Sequence, residues 1–116
     1  MTSELYYGNI LIGSITDIKS DFPNLCGYFN LLLKPIDIIS SQITEYINFS
    51  PELIEFYLNT CEIDQKAENI LLEKENLYQN LIDSNEWKLV DLKGEVTKIL
   101  IPTFDKEGII TLRFNI

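Results

Sequence analysis

Apolar residues follow two different spacings along this chain, and the change of spacing divides the sequence into three parts. In the first third and the last quarter, short apolar runs are separated by turn residues such as Gly8-Asn9 and Lys93-Gly94. Such runs predict β-strands joined by tight turns. In the middle of the chain, apolar residues instead recur every three or four positions, which predicts helices.

The first third predicts a three-stranded antiparallel meander. The runs on either side of Gly8-Asn9 form a hairpin with glycine first in a two-residue turn, and Gly13 suits a β-bulge. Residues 19–24 carry serine, aspartate, proline and asparagine, which favour a turn. Leu25–Leu33 then predicts a third strand, which ends before Pro35 because proline cannot donate a hydrogen bond to a neighbouring strand.

The last quarter predicts a second group of strands. Trp87–Leu92 and Val96–Ile101 flank Lys93-Gly94 as a hairpin, and a turn at Asp105–Gly108 precedes a final strand, Ile109–Ile116. The fold class expected is α+β, with antiparallel β-meanders at both ends and a central acidic helical segment packed on the sheet. A chain of 116 residues is expected to form a single domain, residues 1–116.

The middle of the chain predicts three helical stretches. Ile43, Tyr46 and Ile47 have the spacing of a short helix. Ser50-Pro51-Glu52 predicts the start of a second, because serine caps a helix and proline suits its first turn. Ile63–Ile82 gives the longest periodic pattern, about five turns that end at Asp83.

That longest helix is predicted to be amphipathic. Its apolar stripe is expected to face the core and consists of Ile63, Ala67, Ile70, Leu71, Leu77, Tyr78, Leu81 and Ile82. Glu68, Glu73 and Glu75 are expected to lie together on the outward face.

The charge of the chain is concentrated on the same segment. Between Ser41 and Glu86 there are ten acidic residues and two basic ones, which leaves eight of the nine net negative charges there. A surface of this sign repels nucleic acid and anionic membrane and attracts basic protein surfaces. We therefore expect a protein partner, with no nucleic acid and no membrane.

The sequence offers little material for catalysis or for binding a cofactor or metal. It contains no histidine, and Arg113 is its only arginine. No phosphate-binding loop or calcium loop is present, and we expect no catalytic residue, cofactor or metal. Cys26 and Cys61 are expected to be buried free thiols. The first residues lack the basic and apolar regions of a secretory signal, so we expect a cytoplasmic protein.

Several stretches within residues 12–29 and 87–113 resemble a family of small uncharacterised bacterial α+β proteins. They are Ile12-Gly-Ser-Ile-Thr-Asp17, Ser20-Asp-Phe-Pro23, Gly27-Tyr-Phe29, Trp87-Lys-Leu-Val-Asp91, Gly94, Ile101-Pro-Thr-Phe104 and Gly108-Ile-Ile-Thr-Leu-Arg113. These stretches are turns and core positions, so the resemblance implies a fold and no catalytic residue.

In size and acidity the chain also resembles bacterial immunity proteins, including those paired with contact-dependent growth-inhibition toxins. That resemblance implies a non-enzymatic protein that neutralises a basic toxin domain, for instance a nuclease, by binding it. The residues expected to bind such a partner are Glu68, Glu73 and Glu75, followed by Glu62, Asp64 and Glu52. Tyr57 and Tyr78 are candidate aromatic anchors if their edges are exposed.

Two other functions agree with the same sequence. One is a housekeeping adaptor or an oligomeric structural domain whose contacts lie on apolar sheet surface. The other is an enzyme that acts through paired carboxylates. The sequence leaves the oligomeric state and the identity of the partner open.

Overall fold

The fold is α+β, as the sequence predicts, and the described part of the chain forms one antiparallel sheet and three helices. The computed structural model describes residues 2–21, 24–59 and 64–115. In chain order its elements are β1 (Ser3–Tyr7), β2 (Ile10–Asp21), β3 (Asn24–Leu31), α1 (Ile38–Asn59), α2 (Gln65–Asn76), α3 (Gln79–Ile82), β4 (Trp87–Asp91), β5 (Val96–Lys98), β6 (Thr103–Phe104) and β7 (Ile109–Arg113).

The predicted meander forms the middle of the sheet. The strand order is β5-β4-β1-β2-β3-β7-β6, so strands that follow the helices in sequence add to both sides of β1–β3. The turns at Gly8, Gly94 and Gly108 all have positive φ, which glycine adopts without steric cost. Residues 19–21 extend β2 rather than forming part of a turn.

The chain after β5 joins the two sides of the sheet. Ile99 forms a bridge with Phe114, the Leu100 amide donates to the Arg113 carbonyl at 2.9 Å, and the Asn115 amide donates to the Lys98 carbonyl at 3.1 Å. The same stretch therefore pairs with β4 at its start and with the end of β7 soon afterwards. This contact closes the sheet, and neither it nor β6 is predicted by the sequence.

Gly13 lies where three strands meet closely. It pairs with Leu5 on one side and Leu31 on the other, and the β1–β2 register shifts beside it so that Ile12 is the extra residue. The predicted bulge is thus present one residue earlier. A Cβ atom at position 13 would stand 2.3 Å from the Asn30 carbonyl oxygen, so only glycine fits without movement of the backbone.

Helix α1 packs against the core side of the sheet. Ile43, Tyr46 and Phe49 of α1 are buried among the sheet's apolar side chains. Two buried hydrogen bonds fix α1 near β6: the Tyr46 hydroxyl donates to the Pro102 carbonyl at 2.7 Å, and the Phe104 amide donates to Ser50 Oγ at 2.7 Å. These bonds set the position of the helices on the sheet.

The predicted helix start at Ser50 is wrong, because α1 continues from Ile38 through Pro51. Local capping rules favour a break here, but the Ser50 hydroxyl binds the Phe104 amide instead of capping a new helix. Packing of the apolar residues on both sides of Pro51 against one core maintains a single helix despite the proline.

The expected burial of the two cysteines is not observed for Cys26. Its thiol is exposed, on a strand position that pairs with Lys19 and Thr111. Alternate residues of β3 point to opposite faces of the sheet, and Cys26 occupies the solvent side while its neighbour Gly27 is buried. Cys61 lies outside the described residues.

Candidate functional site

The helices form an antiparallel pair that we call the acidic hairpin, residues 38–59 and 65–82. Gln42 and Asn80 exchange two side-chain hydrogen bonds of 2.8 and 2.9 Å. Lys74 Nζ lies 3.0 Å from a Glu52 carboxylate oxygen, and these contacts place the start of α1 beside α3 and its later turns beside α2. The hairpin contains the largest concentration of negative charge in the sequence.

A reciprocal hydrogen-bond lock fixes the start of α1. Asp37 Oδ1 accepts from the Ser40 amide and hydroxyl, both at 2.7 Å, while Ser40 Oγ accepts from the Asp37 amide at 3.0 Å. This is a capping box with aspartate at the N-cap and serine three residues later. The hydrogen bond from the Ser40 backbone amide, followed by that from its hydroxyl, lowers the pKa of Asp37.

The lowered pKa of Asp37 makes the capping box sensitive to acid. A carboxylate whose pKa falls on folding adds stability above its unfolded pKa and loses that contribution as the pH falls through the folded value. We expect Asp37→Asn to lower the melting temperature at pH 7 and to lower it progressively less as the pH falls below about 4, because the wild-type carboxylate is then protonated and loses its contribution. Thermal denaturation of both proteins across this range measures the difference, and an offset that stays constant with pH would contradict it.

Glu68 and Glu75 do not lie on the outward face with Glu73, so this part of the prediction is wrong. Both are partly buried, whereas Glu73 is exposed. The Tyr57 hydroxyl donates to Glu68 at 3.1 Å across to α1. Desolvation raises the pKa of Tyr57, and the hydrogen bond to Glu68 and the charges of Glu68 and Glu75 raise it further. Glu68 therefore connects α2 to α1, and the charge of Glu75 acts on the same tyrosine.

The difference arises from the position of the buried line on α2 and α3. Leu71, Tyr78 and Leu81 are buried, but Ile70 and Leu77 are 57% and 67% exposed. The apolar stripe predicted from the sequence includes both groups, and its centre is consequently displaced around the helix axis. With the apolar stripe centred on its buried residues, Glu73 lies on the exposed face of the helix, and Glu68 and Glu75 lie beside the stripe, toward α1.

The other predicted partner-binding residues have separate positions. Glu52 is exposed and paired with Lys74. Asp64 is the N-cap of α2, where its side chain accepts from the amides of Lys66 and Ala67 at 3.0 and 3.5 Å. Glu62 lies outside the described residues. The predicted partner-binding residues therefore do not form one cluster. Asp64 stabilises the start of α2 as its N-cap.

A carboxylate that sequence reasoning missed, Glu45, completes the exposed acidic surface. Glu45 and Glu52 are seven residues apart on α1, both exposed, and therefore lie on one face of the helix. Burial raises the pKa of Tyr78, and the nearby charges of Glu45 and Glu52 raise it further while Lys74 lowers it. Because Tyr78 is buried, Tyr57, which is 46% exposed, is the better placed aromatic anchor of the two.

One acidic residue outside the helices, Asp91, stabilises a turn and is not a candidate for partner binding. Asp91 lines a cavity of about 290 Å³ beside β4, together with Glu95. Its Oδ1 atom accepts from the amides of Lys93 and Glu95 at 2.8 and 2.9 Å, which stabilises the β4–β5 turn. Within the described ranges, no group of three or more histidine, cysteine, aspartate or glutamate residues could hold a metal ion.

Comparison with known proteins adds no family to this picture. No protein-family model, curated protein or solved structure matches the chain. The resemblances described above therefore remain predictions. No helix in the described part of the chain combines the length and apolar character needed to span a membrane.

Proposed function

We propose that this protein is a non-enzymatic, cytoplasmic binding protein whose acidic hairpin recognises a basic protein surface. More specifically, we propose an immunity protein that neutralises a bacterial toxin domain, possible targets being nucleases and the toxins of contact-dependent growth inhibition. The observation that carries the proposal is the separation of charge in the fold: α1 and α2 carry six acidic residues against Lys66 and Lys74.

Several features of the acidic hairpin support binding as its task. Glu45, Glu52 and Glu73 are exposed, and only Glu52 among them has a described ion-pair partner. Tyr57 adds aromatic surface, and Leu77 is an exposed apolar residue on the same pair of helices. Protein interfaces commonly combine apolar or aromatic anchors with a charged rim, and this surface contains both.

The charge gives the proposed mechanism. A basic nuclease domain must attract phosphate groups, so its active site carries cationic side chains. Carboxylates of the acidic hairpin would attract the same side chains over several ångströms and accelerate the first encounter. Once bound, the carboxylates would occupy the positions of substrate phosphates, and the toxin would be inhibited by steric and electrostatic exclusion.

Charge reversal on the acidic hairpin tests the proposal. We expect Glu45→Lys combined with Glu73→Lys to slow association with the purified product of the adjacent gene by about tenfold at low salt, because electrostatic steering depends on the local field. The difference should shrink as the salt concentration rises toward physiological values, where exposed charges are screened beyond about 8 Å. Stopped-flow fluorescence measures both rates.

A matched control separates local from global charge. Glu4→Lys combined with Glu95→Lys changes the net charge equally, but these residues lie on the sheet, on β1 and in the β4–β5 turn. The control should retain most of the wild-type association rate. Equal slowing in both double variants would attribute the effect to net charge, and absence of binding by the wild-type protein would reject the immunity function for this gene pair.

A further inference from the structure

An exposed apolar surface lies at the start of α1, next to the acidic hairpin. Ile36 and Ile38 are each 86% exposed, and Leu31 and Leu32 are 41% and 49% exposed. With Pro35 these residues form what we call the entry surface. Isolated exposed apolar residues are ordinary, but Pro35, Ile36 and Ile38 line one groove, and grouped apolar surface commonly marks a binding site.

The entry surface is held rigidly. The Ile36 amide donates to Ser40 Oγ at 3.0 Å and to the Lys34 carbonyl at 2.9 Å, so the backbone between β3 and α1 is fixed. On the sheet side, the amides of Leu32 and Leu33 both donate to the Ile12 carbonyl. Exposed isoleucines on a fixed backbone lose little conformational entropy on binding, which favours affinity.

The groove beside the two isoleucines is negatively charged. It has a volume of about 590 Å³ and is lined by Pro35, Ile36, Asp37, Ile38, Ser41, Gln42 and Glu45. Among the described residues, this lining contains two carboxylates and no basic side chain. Glu45 also belongs to the exposed acidic face of α1, so the groove is continuous with the surface proposed to bind the partner.

We propose that the entry surface docks an apolar side chain of a protein partner that is flanked by lysine or arginine. This proposal rests on the proposed function and deepens it by naming the anchor point and its chemistry. The apolar side chain packs against Ile36 and Ile38, while the flanking cations face Asp37 and Glu45. The acidic hairpin then attracts the partner, and the entry surface retains it.

Charge argues against a second copy of this chain as the occupant. In a twofold symmetric contact the same patch meets itself, so Asp37 and Glu45 would approach the same carboxylates of the other copy. The net charge of −9 adds repulsion between copies at low salt. A basic partner removes both costs, which is why we commit to it.

Synthetic peptides provide a direct test that does not depend on the toxin hypothesis. The first peptide is an acetylated eight-residue segment with Leu-Phe at its centre and lysine at the other positions. The second replaces every lysine by glutamate, and the third replaces Leu-Phe by Ser-Ser. With isotope-labelled protein, we expect the first peptide to shift the backbone amide resonances of residues 36–45, and the other two to shift them much less.

Two double variants locate the site. Ile36→Ser with Ile38→Ser should weaken binding of the first peptide by about tenfold, because both anchor contacts are lost. Leu92→Ser with Val96→Ser is the matched control, since these residues are 83% and 57% exposed on the β4–β5 hairpin. The control should bind as the wild type does, and circular dichroism confirms that both variants are folded.

The remaining outcomes separate this proposal from a second copy of the chain and from the proposed function. Equal binding of the glutamate peptide, or no shifts in residues 36–45, would overturn it. A salt-insensitive dimer in sedimentation experiments, lost in the isoleucine variant, would assign the surface to a second copy instead. If the adjacent gene product binds wild type and isoleucine variant equally, this inference fails while the proposed function stands; if that product binds neither, the proposed function fails and the peptide result still decides the inference.

Discussion

Trp87→Ala is expected to destabilise the protein by about 3–5 kcal/mol, the range for removing a large aromatic side chain from a core. Trp87 is fully buried, and its ring contacts Tyr7 edge to face at a centroid distance of 5.1 Å. Its Nε1 atom donates to the Leu81 carbonyl at 2.9 Å, which ties α3 to the sheet. The substitution therefore removes both core volume and an attachment of the acidic hairpin.

Urea denaturation measures the free energy of unfolding for the wild type and this variant. Trp87→Phe is the matched control, because it retains an aromatic ring but not the donor, and leaves the Leu81 carbonyl without this bond. We expect a smaller loss of about 1–3 kcal/mol for the control. A loss below 1 kcal/mol for Trp87→Ala would show that this residue does not anchor the fold.

Among substitutions that add one methyl group to the sheet, Gly13→Ala is expected to lower the free energy of unfolding the most. The new Cβ atom would stand 2.3 Å from the Asn30 carbonyl oxygen and 2.6 Å from the Phe29 ring. The first contact is with backbone, so β2 and β3 must separate locally, and Ile15 and Phe29 would lose part of their packing. Overpacking of this kind costs about 1–3 kcal/mol and more where backbone must move.

Gly94→Ala separates this steric effect from backbone strain. No atom of the described residues lies within 4 Å of a Cβ at position 94, but φ there is +85°. We expect about 1–2 kcal/mol from the left-handed conformation alone. Unfolding free energies that rank Gly94→Ala as the more harmful of the two would contradict the close strand approach at Gly13.

Local signals account for the part of the fold that the sequence predicts. Glycine turns at Gly8, Gly94 and Gly108 and the alternating residues around them define the hairpins, and these signals act over a few residues. The closure through Ile99 and Phe114 depends on sheet curvature and on a short bridge. No local pattern encodes either of these, so sequence analysis misses the closure.

Tertiary contacts explain why the predicted helix start at Ser50 is wrong. Ser50 and Pro51 are good helix-start residues in isolation, and the prediction follows from that preference. In the fold, Ser50 Oγ instead accepts a hydrogen bond from the amide of Phe104, which lies 54 positions away in the sequence. A sequence pattern that spans only a few helical turns cannot predict a contact between residues this far apart.

The sequence predicts that the candidate site is acidic and helical, but it does not predict which of its residues are exposed. Composition places the charge on the helices, and the structure packs buried residues of those helices into one core with the sheet. A shift of the buried line from Ile70 and Leu77 toward Leu71 and Tyr78 is enough to move Glu68 and Glu75 inward. The entry surface was missed, although Asp37 and Ser40 have the spacing of a capping box that would have marked the start of α1.

The strand order also affects how quickly the native state can form. Two of the pairings, β1 with β4 and β3 with β7, join residues 80 or more positions apart. Such contacts require closure of long loops before they contribute any stabilisation, and proteins dominated by them fold in milliseconds to seconds. The acidic helices lie inside both loops, so each of these two pairings joins strands on either side of the helical segment.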